Sequence, residues 1–146
     1  MKVEIRIEPG AEEKVVIFTD RLTPEIEQLA ARLREQPPDR ITAYSDRGVE
    51  LLPVAQVMRI YGENQQIRVQ SLDGNTYTLR GRLYEYESQL ACRRFVRISN
   101  SEIVNADMIT GMDFSFSGTI CLFLKGDVKT YVSRRYVSKI KKLFDV

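Results

Sequence analysis

The side chains that could carry chemistry in this sequence are mainly basic, and they gather toward the C-terminus. Residues 125–146 contain seven Lys and Arg side chains against only Asp127 and Asp145. Residues 1–50 show the opposite balance, with 8 Lys and Arg against 11 Asp and Glu. A basic segment of this kind can bind a polyanion such as nucleic acid. The same charges are also typical of an ordinary solvated surface, so charge alone leaves both interpretations open.

Catalytic and metal chemistry finds little support in the residue types present. The sequence has no histidine, which removes the commonest general base and the commonest metal ligand. No residue pair suggests a nucleophile with its base, so an enzyme is the least favoured class. Cys92 and Cys121 lie far apart without a CxxC spacing and are predicted to be free thiols. We therefore expect no metal, no cofactor and no small-molecule substrate.

The elements that would position the basic residues are mostly short strands, so residues 41–146 predict a mostly β domain with short helices (α+β). Apolar patterning favours strands at Ile41–Tyr44, Val49–Leu52, Val57–Tyr61, Ile67–Ser71, Thr76–Leu79, Phe95–Ile98, Ile103–Val104, Met108–Phe116, Ile120–Leu124 and Val128–Val132. Asp73-Gly74 predicts a hairpin turn. A short helix is expected around Leu83–Leu90, and Ser133 is expected to cap a last helix. Four aromatic residues are expected in the core: Phe114, Phe116, Phe123 and Phe144.

Residues 1–40 predict a small acidic α/β segment that precedes this domain. Val3–Ile7 alternates with charged residues like a strand, and Val15–Phe18 suggests a second strand. Thr23-Pro24-Glu25 predicts a helix start with Thr23 as the N-cap, followed by an apolar stripe at Ile26, Leu29 and Leu33. Pro37-Pro38 is the expected boundary. Because so small a segment cannot bury enough surface alone, we expect it to serve dimerisation or control.

The N-terminus also bears on where the protein is expected to act. Met1-Lys2-Val3-Glu4-Ile5-Arg6 carries charges through its apolar positions, unlike the apolar stretch of a signal peptide. No run of apolar residues is long enough to span a bilayer as a helix. We therefore expect a cytoplasmic protein.

Four ordered motifs carry a resemblance to the LytTR family of DNA-binding domains. The clearest resembles the family's F-x-R-x-x-x-S-x-x-V-N core, and a second resembles its S-R-R-Y segment. The other two resemble its I-x-Y-x-E strand and its s-L-k-e-l-E helix. The four stretches are, in that order, Phe95–Asn105 (FVRISNSEIVN), Val132–Leu143 (VSRRYVSKIKKL), Val57–Glu63 (VMRIYGE) and Gly81–Glu87 (GRLYEYE). The similarity runs from about Ile41 to the C-terminus.

The resemblance implies a sequence-specific regulator of transcription that binds double-stranded DNA. Members of the family have an antiparallel β fold that places loops into successive major grooves, without a recognition helix. The resemblance implies that Asn100 and Arg135 contact bases. It also implies a third base contact from the loop Gly62–Ile67, and we expect Gln66 to make it. The amide of Asn100 suits adenine, and the guanidinium of Arg135 suits guanine. The side chains suited to the phosphate backbone are Arg97, Ser133, Arg134 and Lys139.

Simpler interpretations remain open for each of these residues. Asn100 lies between two serines and could stabilise a turn through side-chain to backbone hydrogen bonds. Arg135 could be an exposed helix cation, and the lysines of the last helix could be general surface charge. At the level of the whole protein, the alternative is an interaction module that keeps the fold but acts mainly through a regulatory protein partner.

Overall fold

The chain divides into two compact units, Met1–Gln36 and Pro37–Val146, in a computed structural model of the protein. The structure describes residues 1–34 and 38–146. The predicted boundary at Pro37-Pro38 therefore lies partly outside the described residues. Within the described ranges, no helix is both long enough and apolar enough to cross a membrane.

The helix of the N-terminal unit, α1 (Pro24–Arg34), begins where the sequence predicts. Thr23 precedes it, and the Thr23 Oγ1 accepts a hydrogen bond from the Ile26 N–H at 3.3 Å. This bond satisfies one of the N–H groups that a helix leaves unpaired at its start. Acidic residues occupy the first turn and basic residues the last, as the helix dipole favours. The predicted N-cap is thus confirmed.

The two strands predicted ahead of α1 are not formed. The structure assigns no strand to residues 1–22, which corrects the predictions at Val3–Ile7 and Val15–Phe18. The alternating side chains Val3, Ile5 and Ile7 are between 82% and 91% exposed. A strand is stable only where its N–H and C=O groups pair with a neighbour and one of its faces is covered. Residues 1–22 have no strand partner among residues 1–34 and 38–146.

The C-terminal unit is built on a seven-stranded sheet, and its antiparallel pairing confirms the β fold that the resemblance implies. Its spatial order is β2-β1-β5-β4-β3-β7-β6, so strands β3 and β7 are neighbours although they are distant in sequence. The strands are β1 (Arg40–Ser45), β2 (Gly48–Pro53), β3 (Val57–Glu63), β4 (Gln66–Ser71), β5 (Thr76–Leu79), β6 (Phe95–Ser99) and β7 (Glu102–Asn105). The Asp73-Gly74 hairpin turn is formed, with Gly74 at a positive φ of 90°.

A second, three-stranded antiparallel sheet completes the β structure, and its strands correspond to the last three strands that the sequence predicts. It consists of β8 (Ile109–Asp113), β9 (Ile120–Leu124) and β10 (Val128–Val132), with β9 in the centre. Strand β8 ends before the two aromatic residues that the sequence places in it. Phe114 and Phe116 instead lie in the following turn and are 47% and 45% exposed, so their predicted core positions are wrong.

Two helices pack on the C-terminal unit, at α2 (Leu83–Leu90) and α3 (Arg134–Leu143). Leu83 and Leu90 bury α2 in a core cluster that includes residues of β1, β3 and β4. Ile140 is fully buried and anchors α3 in a second cluster with the three-stranded sheet. Burial of a side chain of this size contributes about 1.5–3 kcal/mol. These two clusters hold the ends of the strands and the start of α3 in fixed positions.

Ser133 occupies the N-cap position of α3, as predicted, but its side chain makes no capping hydrogen bond. Its backbone N–H donates instead to the Ile98 carbonyl oxygen at 2.9 Å. The start of α3 is therefore tied to strand β6 through the backbone, while the serine hydroxyl is not used by the helix.

Candidate nucleic-acid interface

The turn between β6 and β7 presents Asn100 to solvent. Asn100 and Ser101 form this turn, and Asn100 is exposed. The local hydrogen bond that stabilises the turn comes from a serine, because the Ser101 N–H donates to the Ser99 Oγ at 3.2 Å. The amide of Asn100 is therefore not used to hold the turn together. This arrangement argues against the simpler interpretation of Asn100 as a turn-stabilising residue.

Arg97 lies under this turn and is directed into the protein. Its Nε donates to the Ser99 carbonyl oxygen at 2.6 Å, and its Nη2 donates to the Asn100 carbonyl oxygen at 2.6 Å. Its Nη1 donates to Glu87 Oε1 of α2 at 3.1 Å. Only 15% of the Arg97 side chain is exposed. A residue predicted to contact phosphate is thus extensively hydrogen-bonded within the chain.

The turn between β3 and β4 lies beside the Asn100 turn. Asn64 and Gln65 have φ values of 52° and 63°, the left-handed conformation that two-residue hairpin turns require. Gln66 is the exposed first residue of β4. The Gly62 N–H donates to the Ser101 carbonyl oxygen at 2.8 Å, which connects the end of β3 to the Asn100 turn. Both turns therefore lie at the same end of the large sheet.

The start of α3 reaches the same end of the sheet. Tyr136 Oη donates to Asn100 Oδ1 at 3.5 Å, a long hydrogen bond between the first turn of α3 and the Asn100 turn. Arg134 and Arg135 precede Tyr136 and are exposed, as is Lys139 one turn later. The first turn of α3 holds no acidic residue. The exposed surface here is therefore positively charged and is bordered by two polar turns.

A buried ion pair lies behind the Asn100 turn. Glu102 Oε2 is 3.5 Å from Arg59 Nη1, and both side chains are largely buried. Burial raises the pKa of the Glu102 carboxyl, and hydrogen bonding to Thr130 and the charge of Arg59 oppose that rise. Arg59 is itself held by Gln70 Oε1 at 2.7 Å. The residue two positions after Asn100 is thus fixed between the sheets.

The structure brings three of the predicted regions together: the Asn100 turn, the Gln66 turn and the start of α3 with Ser133, Arg134 and Arg135. Lys139 lies farther along the same helix. The sequence did not identify the contact of Tyr136 with Asn100, although Tyr136 is part of the S-R-R-Y segment. It also did not identify Glu87, whose role depends on the packing of α2 against β6. Both cysteines are free, as predicted, with Cys92 exposed and Cys121 buried.

The geometry also excludes a helix-turn-helix within the described ranges. The α-helices α1, α2 and α3 are separated along the chain by strands, so no two of them follow each other across a short turn.

Comparisons with known proteins identify a family pattern and a fold that this chain resembles. The sequence pattern of the LytTr DNA-binding domain matches residues 47–145. Proteins named as uncharacterized HTH-type transcriptional regulators of Staphylococcus aureus, from strains NCTC 8325 / PS 47 and COL, are 33% identical over 106 residues. Each match covers 73% of this chain and 71% of the relative.

A solved structure has the same fold. It is the LytTr DNA-binding domain of a protein described as a methyl-accepting/DNA response regulator from Bacillus cereus, with a TM-score of 0.71 and 25% sequence identity. The match covers 75% of this chain and 99% of that domain. The resemblance found in the four sequence motifs is therefore confirmed, and the chain belongs to the LytTR family of DNA-binding domains.

Proposed function

We propose that this protein is a sequence-specific transcriptional regulator that presents turns, not a recognition helix, to successive major grooves of double-stranded DNA. The observation that carries the proposal is the hydrogen-bonded connection of three polar elements at one end of the large sheet. Gly62 joins the β3–β4 turn to Ser101, and Tyr136 joins α3 to Asn100. Preorganised polar groups of this kind are suited to reading base edges, since little conformational freedom is lost on binding.

The exposed residues divide by chemistry into base and backbone contacts. Asn100 and Gln66 carry amides that can donate and accept at a base edge, and Arg135 carries a planar fork that matches guanine. Arg134 and Lys139 supply positive charge beside them, and the unused hydroxyl of Ser133 can donate to a phosphate oxygen. Backbone contacts fix the position of the protein on the duplex, and base contacts select the sequence.

We further propose that the protein binds DNA as a homodimer formed through its N-terminal unit. None of the described residues 1–34 is buried, although the unit contains many large apolar side chains. Phe18, Ile7 and Met1 are each about nine-tenths exposed. Apolar surface this extensive is typical of an interface. A second copy supplies an identical apolar unit, and closed two-fold dimers are the commonest assemblies of soluble proteins.

The proposal is tested by selecting bound sequences from random duplex DNA with the purified full chain. Affinity is then measured for a selected and a scrambled duplex over a series of salt concentrations. Each phosphate contact releases counterions, so log affinity should fall linearly with log salt, at about −0.9 per contact. A flat salt titration or equal affinity for both duplexes would contradict the proposal and would favour a protein-interaction module.

Two substitutions test the assignment of base contacts. Asn100→Ala and Arg135→Ala should each reduce the preference for the selected duplex by about 1–3 kcal/mol. Lys141→Ala is the matched control, because it removes an exposed charge of α3 that has no proposed base contact. It should weaken binding to both duplexes alike. Circular dichroism checks that each variant is folded.

A further inference from the structure

We propose that Arg97 and Glu87 form a positioning pair that fixes the Asn100 turn, so that Arg97 controls base selection without touching DNA. This inference rests on the proposed DNA-binding function, and it assigns Arg97 a role different from the phosphate contact that its sequence position suggests.

Arg97 donates hydrogen bonds to the backbone of the Asn100 turn. Two nitrogens of its guanidinium, Nε and Nη2, donate to the carbonyl oxygens of Ser99 and Asn100, both at 2.6 Å. These two peptide units lead directly into Asn100 and out of it, so fixing them fixes the direction of the Asn100 Cα–Cβ bond. The pairing of β6 with β7 is irregular between Arg97 and Ser99. Arg97 therefore supplies hydrogen bonds where the regular ladder is interrupted.

Glu87 holds Arg97 in this orientation from the opposite side. The Glu87 carboxylate accepts a hydrogen bond from Arg97 Nη1 at 3.1 Å. Glu87 belongs to α2, which Leu83 and Leu90 anchor in the core. Charge-assisted hydrogen bonds are stronger than neutral ones, particularly when the pair is partly shielded from water. The Asn100 turn is thus connected to the core through Arg97, Glu87 and α2.

The chemistry requires arginine at this position. Three of its nitrogens donate in three directions, to two carbonyl oxygens and one carboxylate. A lysine ammonium keeps the positive charge but is a compact group on a flexible stem and cannot reproduce the planar fork. A phosphate contact depends mainly on charge, so lysine would largely preserve it. The two roles can therefore be distinguished by Arg97→Lys and Arg97→Gln measured together.

The first experiment measures the affinity of the full chain for selected and scrambled duplexes over a salt series. For a positioning role, Arg97→Lys and Arg97→Gln should both lower the ratio of the two affinities on the order of tenfold, with an unchanged salt slope. In an Asn100→Ala background, neither change should lower the ratio further, since the base contact that Arg97 positions is already absent. Arg94→Gln is the matched control, because Arg94 pairs with Asp107 on the surface.

Two results would overturn the inference. In the first, Arg97→Gln reduces the salt slope by about 0.9 and Arg97→Lys restores it, as expected of a phosphate contact. In the second, both variants keep the wild-type affinity ratio. Glu87→Gln gives an independent check, because it removes the anchoring charge and leaves Arg97 in place. It should lower the ratio in the same direction by a smaller factor.

The second experiment requires no DNA and separates this inference from the proposed function. Amide hydrogen exchange of the free protein is measured at Ser101 and Gly62, whose backbone groups hold the Asn100 turn. Arg97→Gln should accelerate exchange at both amides, while amides of the β9–β10 pair keep their rates. Unchanged exchange at Ser101 and Gly62 would refute the positioning role even if the wild type binds DNA specifically. A wild type without sequence preference would instead refute the proposed function.

Discussion

The side-chain amide of Asn100 is available for recognition because hydrogen bonds made by neighbouring residues stabilise its turn. Ser99 closes the turn, and Tyr136 Oη contacts the Asn100 side-chain oxygen at 3.5 Å. The contact uses one acceptor position of that oxygen, and the amide nitrogen makes no hydrogen bond with the residues that the structure describes. It therefore restricts which way the amide faces. Amide orientation matters for bidentate recognition, because exchange of oxygen and nitrogen reverses the hydrogen-bond pattern offered to a base.

We therefore predict that Tyr136→Phe lowers base discrimination with little effect on folding. The variant removes only the hydroxyl, and the ring stays packed against the second core cluster. The difference in binding free energy between selected and scrambled duplexes should fall by about 1 kcal/mol, the usual net contribution of one hydrogen bond. Tyr84→Phe serves as the control, since Tyr84 is 65% exposed on α2. An unchanged ratio in Tyr136→Phe would show that this hydroxyl does not orient Asn100.

Glu102 is the residue whose ionisation should affect stability most directly. Burial raises its pKa above the ordinary value of 4.5, so the folded protein binds this proton more tightly than the unfolded chain does. The resulting stabilisation is complete below pH 4.5 and is lost as pH rises through the raised pKa. The opposite pH dependence applies to Asp73 and Asp113, whose pKa values are lowered by hydrogen bonds from serine and backbone groups.

We predict that Glu102→Gln removes this component of the pH dependence. Glutamine resembles the protonated carboxyl, so the wild type should lose free energy of unfolding relative to the variant as pH rises from 4.5. Urea unfolding of both proteins between pH 4 and 8 measures the difference, in which the contributions of Asp73 and Asp113 cancel. Glu50→Gln is the control, because Glu50 is an exposed residue of β2. A difference that stays constant with pH would contradict the prediction.

At the scale of elements, the start of α3 depends on the turn that joins β8 to β9. Gly118 in that turn has a φ of +73°, and a Cβ built on it would lie 2.7 Å from Arg134 Nε. The Arg134 side chain therefore packs directly on the glycine backbone. The glycine therefore leaves the space that this side chain, a proposed phosphate contact, occupies at the start of α3.

We predict that Gly118→Ala displaces Arg134 and weakens binding to selected and scrambled duplexes equally. Backbone strain should also lower the free energy of unfolding by about 1 kcal/mol. Gly126→Ala separates the two effects, since Gly126 has a similar φ of +77° but a Cβ there would meet only Met58 and Leu72, at 3.6 Å and 3.9 Å. The control should lose stability and keep its DNA affinity. Equal losses of affinity in both variants would show that strain alone is responsible.

The elements also show which properties could be predicted from the sequence. Strands, hairpin turns and helix starts follow from local patterns. The positions of the strands in both sheets, apart from the end of β8, and the helix start at Thr23 were predicted correctly. Contacts between distant elements have no local pattern. The pairing of Arg97 with Glu87 depends on how α2 packs on β6, and no spacing in the sequence reveals it. Phe114 and Phe116 were misplaced for a similar reason, because apolar character does not reveal where β8 ends.

The N-terminal segment shows the limit of periodicity as evidence for a strand. Val3, Ile5 and Ile7 alternate correctly, yet they form no strand in the single chain. Alternation records which side chains would share a face, whereas strand formation requires a partner for the backbone. A sequence pattern without its partner in the same chain is consistent with pairing between chains, which connects this segment to the proposed dimer.

At the scale of the whole molecule, charge and apolar surface are divided between the two units. Acidic residues are concentrated in residues 1–50 and basic residues in residues 125–146. An acidic segment is repelled by the phosphate backbone, so we assign DNA contact to the C-terminal unit alone. Two C-terminal units linked through their N-terminal units would bind paired half-sites with increased affinity, because the second unit binds at a high effective concentration.

We predict that removal of residues 1–38 produces a folded monomer that no longer benefits from paired half-sites. The truncation keeps Asp39, whose carbonyl oxygen accepts from the Val54 N–H at 2.8 Å. Affinity for a duplex with two half-sites should fall on the order of 100-fold, while affinity for a single half-site should change little. Sedimentation should show the mass of one truncated chain, whereas the full chain should sediment as a dimer. The double variant Ile5→Asp with Phe18→Asp should reproduce the loss in the full chain, since both side chains are about nine-tenths exposed in the single chain. Val49→Asp, which changes an exposed apolar residue of β2, should leave the mass and both affinities unchanged. A truncated chain that still sediments as a dimer, or that loses affinity equally for both duplexes, would contradict dimerisation through the N-terminal unit.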